Sequence, residues 1–126
     1  MSGIRALIVD DSSVMRKIVE RSLREAGVEL GEVYGASNGV EGLALLNQKE
    51  VDLVLSDVNM PVMDGLEFVR QMQSLESAKN IPVVMITTEG GENQVREAIS
   101  LGAKGYIRKP FTQDQVKDQV IPILRR

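Results

Sequence analysis

The residues able to do chemistry in this chain form a narrow set. Among its 126 residues there is no histidine and no cysteine, which removes the commonest general base, the commonest zinc ligand and all thiolate chemistry. Carboxylates and lysine must carry any reaction. Asp10 and Asp11 follow the apolar run Ala6 to Val9, Asp57 follows Val51 to Leu55, Thr87 follows Ile81 to Ile86, and Lys109 follows Gly105 to Ile107. Three carboxylates brought together repel one another, and each resists ionisation unless a cation compensates. A hard divalent ion suits such oxygen ligands, Mg²⁺ better than zinc. Lys109 then has two open roles, as partner to Asp57 at rest or as ligand to an arriving anion. Thr87 offers a hydroxyl to the same anion. Such a set suits phosphoryl transfer, with Asp57 as nucleophile and the cations neutralising the transferred group.

These residues are scattered along the chain, so they act together only if the fold gathers them. The apolar runs, with a weaker one from Glu32 to Ala36, lack period-two alternation, as expected of parallel strands buried on both faces. Between them lie helical spacings: Val14, Ile18 and Leu23; Leu43 and Leu46; Leu66, Val69 and Met72; Val95 and Ile99; Val116, Val120 and Leu124. Asp64 with Glu67, Thr112 with Gln115, and Asn38 with Glu41 have capping-box spacing. Gly27 and Gly102 sit where left-handed helix ends are wanted. Pro122 falls inside the last helical pattern and is expected to kink or end it. Five βα units predict an α/β fold, a doubly wound parallel sheet with helices on both faces. In such sheets ligands bind at the carboxyl ends of the strands, where Asp10, Asp11, Asp57, Thr87 and Lys109 all fall.

Composition bounds the role. The 15 basic and 18 acidic residues give a formal charge of −3, and no basic stripe appears, which argues against nucleic acid or an anionic membrane as partner. The N-terminal apolar run is too short for a signal-peptide core or a membrane span. A cytoplasmic protein is expected, with residues 1–126 forming one domain, since no repeat or linker divides them.

The segments Val9-Asp10-Asp11, Asp57-Val58-Asn59-Met60-Pro61-Val62-Met63-Asp64-Gly65, Thr87-Thr88-Glu89 and Lys109-Pro110-Phe111-Thr112 together resemble the response-regulator receiver domain, in its single-domain chemotaxis form. The resemblance covers nearly the whole chain. It implies a flavodoxin-like strand order 2-1-3-4-5 and a phosphoryl-accepting switch of a two-component pathway. By that resemblance Asp57 takes a phosphoryl group from a kinase phosphohistidine. Asp10, Asp11, Asp57 and the backbone carbonyl of Asn59 serve Mg²⁺, Asp10 mostly through water. Lys109 and Thr87 bind the phosphoryl oxygens, the Lys109–Pro110 bond is cis, and Tyr106 changes rotamer with the state of Thr87. Asn59 and Glu89 tune hydrolysis of the acyl phosphate. The implied partners are a sensor histidine kinase and an output protein, of which a flagellar-motor switch protein is one candidate, and the implied state is a monomer.

Plainer readings stand beside these. Asp10 and Asp11 could be helix-start acids, Lys109 a solvated lysine, Thr87 a β-branched strand residue, and Tyr106 a packed tyrosine with a wet hydroxyl. A phosphatase of the haloacid-dehalogenase kind needs a second Asp two residues after its nucleophile as general acid and base; here that position is Asn59, and no cap insertion exists. The chain therefore reads as a phosphoacceptor switch that turns over only its own phosphoryl group, not as an enzyme on external substrates. Neither Gly-x-Gly-x-x-Gly nor a Walker sequence occurs, which disfavours a nucleotide or flavin module.

Overall fold

The computed structural model describes residues 3–88 and 92–124. The order is β1(Ile4–Val9) α1(Ser13–Glu25) β2(Leu30–Ala36) α2(Gly39–Gln48) β3(Leu53–Ser56) α3(Gly65–Gln73) β4(Val83–Thr87) α4(Glu92–Ser100) β5(Gly105–Arg108) α5(Gln113–Leu124). The strands form one parallel sheet in the order β2-β1-β3-β4-β5, as the resemblance implies. Parallel neighbours need a crossover connection, and α1 to α4 supply the four that join the strands, while α5 follows β5 and packs back on the sheet.

The central strands are apolar on both faces because both faces are covered. Leu7, Val9, Val54, Val83 and Met85 pack with Leu46, Phe68, Val69, Met72 and Ala98, from α2, α3 and α4. Ile8, Leu53, Leu55, Val84, Ile86 and Ile107 pack with Val19, Leu23, Val116 and Val120, from α1 and α5. Burying a side chain of this size stabilises the fold by about 1.5–3 kcal/mol, so these two layers hold the sheet.

Helix starts follow the capping signals. Asn38 Oδ1 accepts from Glu41 N–H at 3.0 Å and Asp64 Oδ1 from Glu67 N–H at 2.9 Å. Thr112 and Gln115 form the full reciprocal box, at 3.2 and 2.9 Å; each such cap contributes about 1 kcal/mol. Gly27 and Gly102 have φ of 98° and 120°, as their places predict.

Two expectations need correction, and a third, that Pro122 kinks or ends its helix, loses one of its alternatives. In α1 the buried face is Val19 and Leu23, while Val14 and Ile18 stay exposed; the helix carries two apolar rows and only one meets the sheet. In α4 Ala98 is buried and Ile99 is exposed. Pro122 does not end α5, which continues to Leu124. Asp118, whose carbonyl loses its helical donor at Pro122, is exposed, so water can satisfy that carbonyl.

Candidate functional site

The carboxyl ends of β1, β3, β4 and β5 gather the residues picked out in the sequence. Val9 pairs in register with Ser56, and the ladder runs one step further, with Asp57 N–H donating to Val9 C=O at 2.9 Å. That step sets Asp10 beside Asp57. Carboxylate oxygens of Asp10, Asp11 and Asp57 lie within 4.8 Å of one another. Asp10 is buried and Asp11 exposed, so the cluster runs from the sheet edge out to solvent.

Lys109 answers this charge from the far side. β5 is separated from β3 by β4, so only a long side chain spans the gap. Its Nζ donates to Asp10 Oδ2 at 3.2 Å and lies 3.5 Å from Asp57 Oδ2, with all three side chains at most 12% exposed. The Lys109–Pro110 peptide is cis, and Lys109 N–H donates to Thr87 C=O at 2.8 Å. Thr87 is fully buried at the end of β4.

One ammonium does not compensate three carboxylates. Burial pushes the Asp57 carboxyl above its ordinary value; Lys109 pulls it back, Asp10 pushes it up again, and the N–H groups of Val58 and Asn59 favour the charged form. The Val58 N–H bond to Asp57 Oδ1 is 2.7 Å. No ion pair or side-chain hydrogen bond engages the Asp11 carboxylate among the described residues. A crowded acid set, one member held back from ionising and another unpartnered, fits a hard divalent cation.

The loop after β3 is shaped by close approach. A Cβ on Gly65 would lie 2.1 Å from the Asp57 carbonyl oxygen, so only glycine lets α3 begin there. Gly65 N–H closes the turn onto Val58 C=O at 2.8 Å. Met60 and Met63 pack against the core. Asn59 is exposed.

Tyr106 lies diagonally from Thr87 on one face of the sheet, since its register partner is Met85, two residues before Thr87. Its ring packs against the core cluster of α2, α3 and α4, and its hydroxyl donates to Gln94 Oε1 on α4 at 3.1 Å. The packed-tyrosine reading is thus true of the ring. Glu89 and the Gly90-Gly91 pair lie outside the described residues.

Sequence reasoning missed two participants. Arg16 Nη1 donates to the Asp10 carbonyl at 2.5 Å, and Ser56 Oγ to the Asp57 carbonyl at 2.9 Å. Ser56 is buried at the end of β3, and a polar residue closing an apolar run was the available signal. Arg16, one turn into a helix, had none.

Comparison with known proteins agrees with this geometry. The family described as response regulator receiver domain matches residues 6–121. Chemotaxis protein CheY1 of Helicobacter pylori is 39% identical over 122 residues, covering 96% of this chain and 97% of that protein. Vibrio cholerae chemotaxis protein CheY4 superposes with a TM-score of 0.85 at 36% identity, over 98% of this chain and 100% of the other. The receiver domain of a sensor histidine kinase from Pseudomonas aeruginosa, solved with a magnesium ion in its active-site cleft, has a TM-score of 0.85 at 22% identity over 99% and 100%; it shares the fold. Matched over most of its length by the family and sharing its fold with these relatives, the chain belongs to the response-regulator receiver family, in the company of chemotaxis regulators.

Proposed function

We propose that this chain acts as a single receiver unit in which Asp57 is the phosphoacceptor, and that phosphorylation alters its binding to an output protein. The observation that carries the reading is the Lys109 ammonium 3.5 Å from Asp57 Oδ2 and 3.2 Å from Asp10 Oδ2, within a three-carboxylate cluster. In the reaction a carboxylate oxygen of Asp57 attacks phosphorus. A new P–O bond forms, the bond to the donor breaks, and the imidazole of a kinase phosphohistidine leaves with the electron pair and takes up a proton. Lys109 moves its charge from the carboxylates to the phosphoryl oxygens, and the Thr87 hydroxyl joins it.

Asp10, Asp11, Asp57 and the Asn59 carbonyl would hold Mg²⁺, as the chemistry of the acid set and the magnesium site named for the Pseudomonas receiver support. When bound, the ion supplies positive charge that favours the ionised Asp57 and offsets charge on the transferred group. The acyl phosphate is then hydrolysed in place: water attacks phosphorus, the bond from phosphorus to the Asp57 oxygen breaks, and inorganic phosphate leaves as the carboxylate is restored. The kinase partner is a sensor histidine kinase, and the chemotaxis relatives support a flagellar-motor switch protein as output partner.

Tyr106 is the proposed relay. A phosphoryl group gives the Thr87 hydroxyl a new acceptor, and Tyr106, diagonal to it, follows inward, leaving Gln94. Both arrangements must differ by no more than a few kcal/mol for the domain to switch. A cytoplasmic monomer is part of the same proposal. No helix among the described residues is long and apolar enough to cross a membrane.

Intact mass after incubation with acetyl phosphate and Mg²⁺ tests the assignment. One phosphoryl group is expected on the wild type and none on Asp57→Asn. Equal labelling of the two proteins overturns it.

A further inference from the structure

Arg16 is placed unlike an ordinary surface arginine. It stands in the first turns of α1, is half-buried, and makes no ion pair among the described residues. Its guanidinium instead donates to one neutral acceptor, the Asp10 carbonyl, at 2.5 Å. Ordering so long a side chain costs rotamer entropy, and a charge-assisted bond of this kind offsets it.

The other polar groups of Asp10 are already engaged. Its N–H donates to Ala36 C=O at 2.9 Å. Its Oδ1 accepts from Ser12 N–H at 2.9 Å and its Oδ2 from Lys109 at 3.2 Å. The carbonyl that Arg16 takes belongs to the peptide unit joining Asp10 to Asp11. That unit is planar, so fixing its oxygen fixes the direction in which Asp11 leaves the strand. Asp11 is exposed and its carboxylate has no protein partner among the described residues. The peptide plane is therefore what keeps Asp11 aimed at Asp10 and Asp57.

The seat for Arg16 is cut into β2. A Cβ on Gly35 would lie 3.0 Å from Arg16 Nε and 3.3 Å from its Cδ, so the arginine stem lies across the strand at a position where no side chain intervenes. The φ of Gly35 falls outside the left-handed range, unlike those of Gly27 and Gly102. Its backbone accepts alanine; only the Arg16 stem objects.

We infer that Arg16 is a positioning residue for the acidic site, acting through the Asp10–Asp11 peptide and seated by Gly35. The inference rests on the reading of Asp10, Asp11 and Asp57 as Mg²⁺ ligands. It has a distinctive sign. As a mere nearby positive charge Arg16 would repel Mg²⁺, and its removal would tighten binding. As a positioning group its removal loosens binding, by the roughly 10–100-fold that follows loss of an outer partner to a metal ligand.

The experiment is a Mg²⁺ titration followed by amide shifts around Asp57, in wild type, Arg16→Met, Gly35→Ala and the double variant. Each single variant should weaken Mg²⁺ by about tenfold, and the double should be no weaker than Arg16→Met alone, because both break one contact. At saturating Mg²⁺, acetyl-phosphate labelling of Arg16→Met should return to within about twofold of wild type, marking a role in seating the ion and not in the transfer. Unchanged or tighter Mg²⁺ binding in both single variants overturns the inference and leaves the site reading intact. A wild type that binds no Mg²⁺ overturns both. Should Arg16→Met fail to fold, Gly35→Ala decides alone.

Discussion

Asp52 and Asp57 stand at opposite ends of the same strand, β3, and their surroundings push them in opposite directions. At the amino end Asp52 meets Arg5 through a two-pronged bond, Nε to Oδ2 at 2.9 Å and Nη2 to Oδ1 at 3.0 Å, and accepts the Arg5 N–H at 2.9 Å. Those hydrogen bonds hold its carboxyl below the ordinary carboxylate range. At the carboxyl end Asp57 is half-buried beside two more acids, with one lysine shared by Asp10 and Asp57, and that burial raises it. The residue type is the same; what differs is whether the protein itself completes the acid's surroundings. A completed acid stabilises a sheet edge, and an uncompleted one waits for a ligand.

The largest expected effect separates the two cations. Lys109→Ala should slow acetyl-phosphate labelling of Asp57 by about 10²-fold, the size of losing one donor to developing oxyanion charge. Arg5→Ala should leave the rate within about twofold, since it serves the other edge of the sheet. Time courses by intact mass decide between them. Equal slowing in both variants would mean that general destabilisation, and not the site lysine, sets the rate.

Mg²⁺ sharpens the contrast next. An ion that binds only the folded form stabilises it by about 2.7 kcal/mol at a hundredfold excess over Kd. Thermal melts should show that rise in the wild type and in Asp52→Ala, and lose most of it in Asp11→Ala. Without metal, Asp11→Ala should melt slightly higher than wild type, because one of three repelling charges is gone. A full Mg²⁺ response in Asp11→Ala would count against that residue as a ligand.

The two ends of β3 should also give opposite pH signatures in metal-free urea unfolding. Asp57 has a raised folded value, so its contribution is fully present below the unfolded value of about 3.9 and is lost as pH climbs through the folded one. Asp52 has a lowered folded value, so its contribution is present above about 3.9 and is lost as pH falls through the folded one. The stability of Asp57→Asn relative to wild type should therefore become more favourable from pH 3 to pH 7, at about 1 kcal/mol in scale. That of Asp52→Asn should become less favourable over the same range. Parallel trends would show that net charge, and not local environment, governs both.

Much of this was legible in the sequence, for physical reasons. Buried parallel strands announce themselves as unalternating apolar runs, and capping side chains mark helix starts, so the strand ends and their acids could be found before any coordinates. Boundaries slipped where polar residues belong to strands: Ser56 and Thr87 are buried strand residues that an apolar run excludes. Faces slipped in α1, where Val14 and Ile18 compete with Met15 and Val19 and periodicity alone cannot choose between two adjacent rows. Arg16 was illegible because its meaning lies in Gly35, on β2, and Asp10, just past the end of β1. Local pattern reports burial and capping; it does not report which distant backbone atom a long side chain will reach.

The smallest effect concerns where each end of the sheet keeps its backbone strain. Gly3, Gly27 and Gly102, all at the amino-terminal edge, take positive φ without strain. At the carboxyl edge the positive-φ residue among those described is Val62, at 68°, in a tight turn where Met63 N–H donates to Pro61 C=O at 2.7 Å. A β-branched residue there is strained by about 1–2 kcal/mol, and Val62, 82% exposed, gains little from packing in return. Val62→Gly removes that strain but gives the unfolded chain about 0.4–1 kcal/mol of extra freedom. The net expectation is a gain of roughly 0.5–1 kcal/mol. Gly27→Ala supplies the mirror case: a Cβ there meets nothing within 4 Å, so its cost is backbone strain less the freedom removed from the unfolded chain, a net of roughly 0.5–1 kcal/mol. Urea unfolding of the two variants should give shifts of opposite sign and similar size. If Val62→Gly instead destabilises the protein, the turn after Pro61 is held by the valine side chain, and the strain assigned to the site end of the sheet is not there.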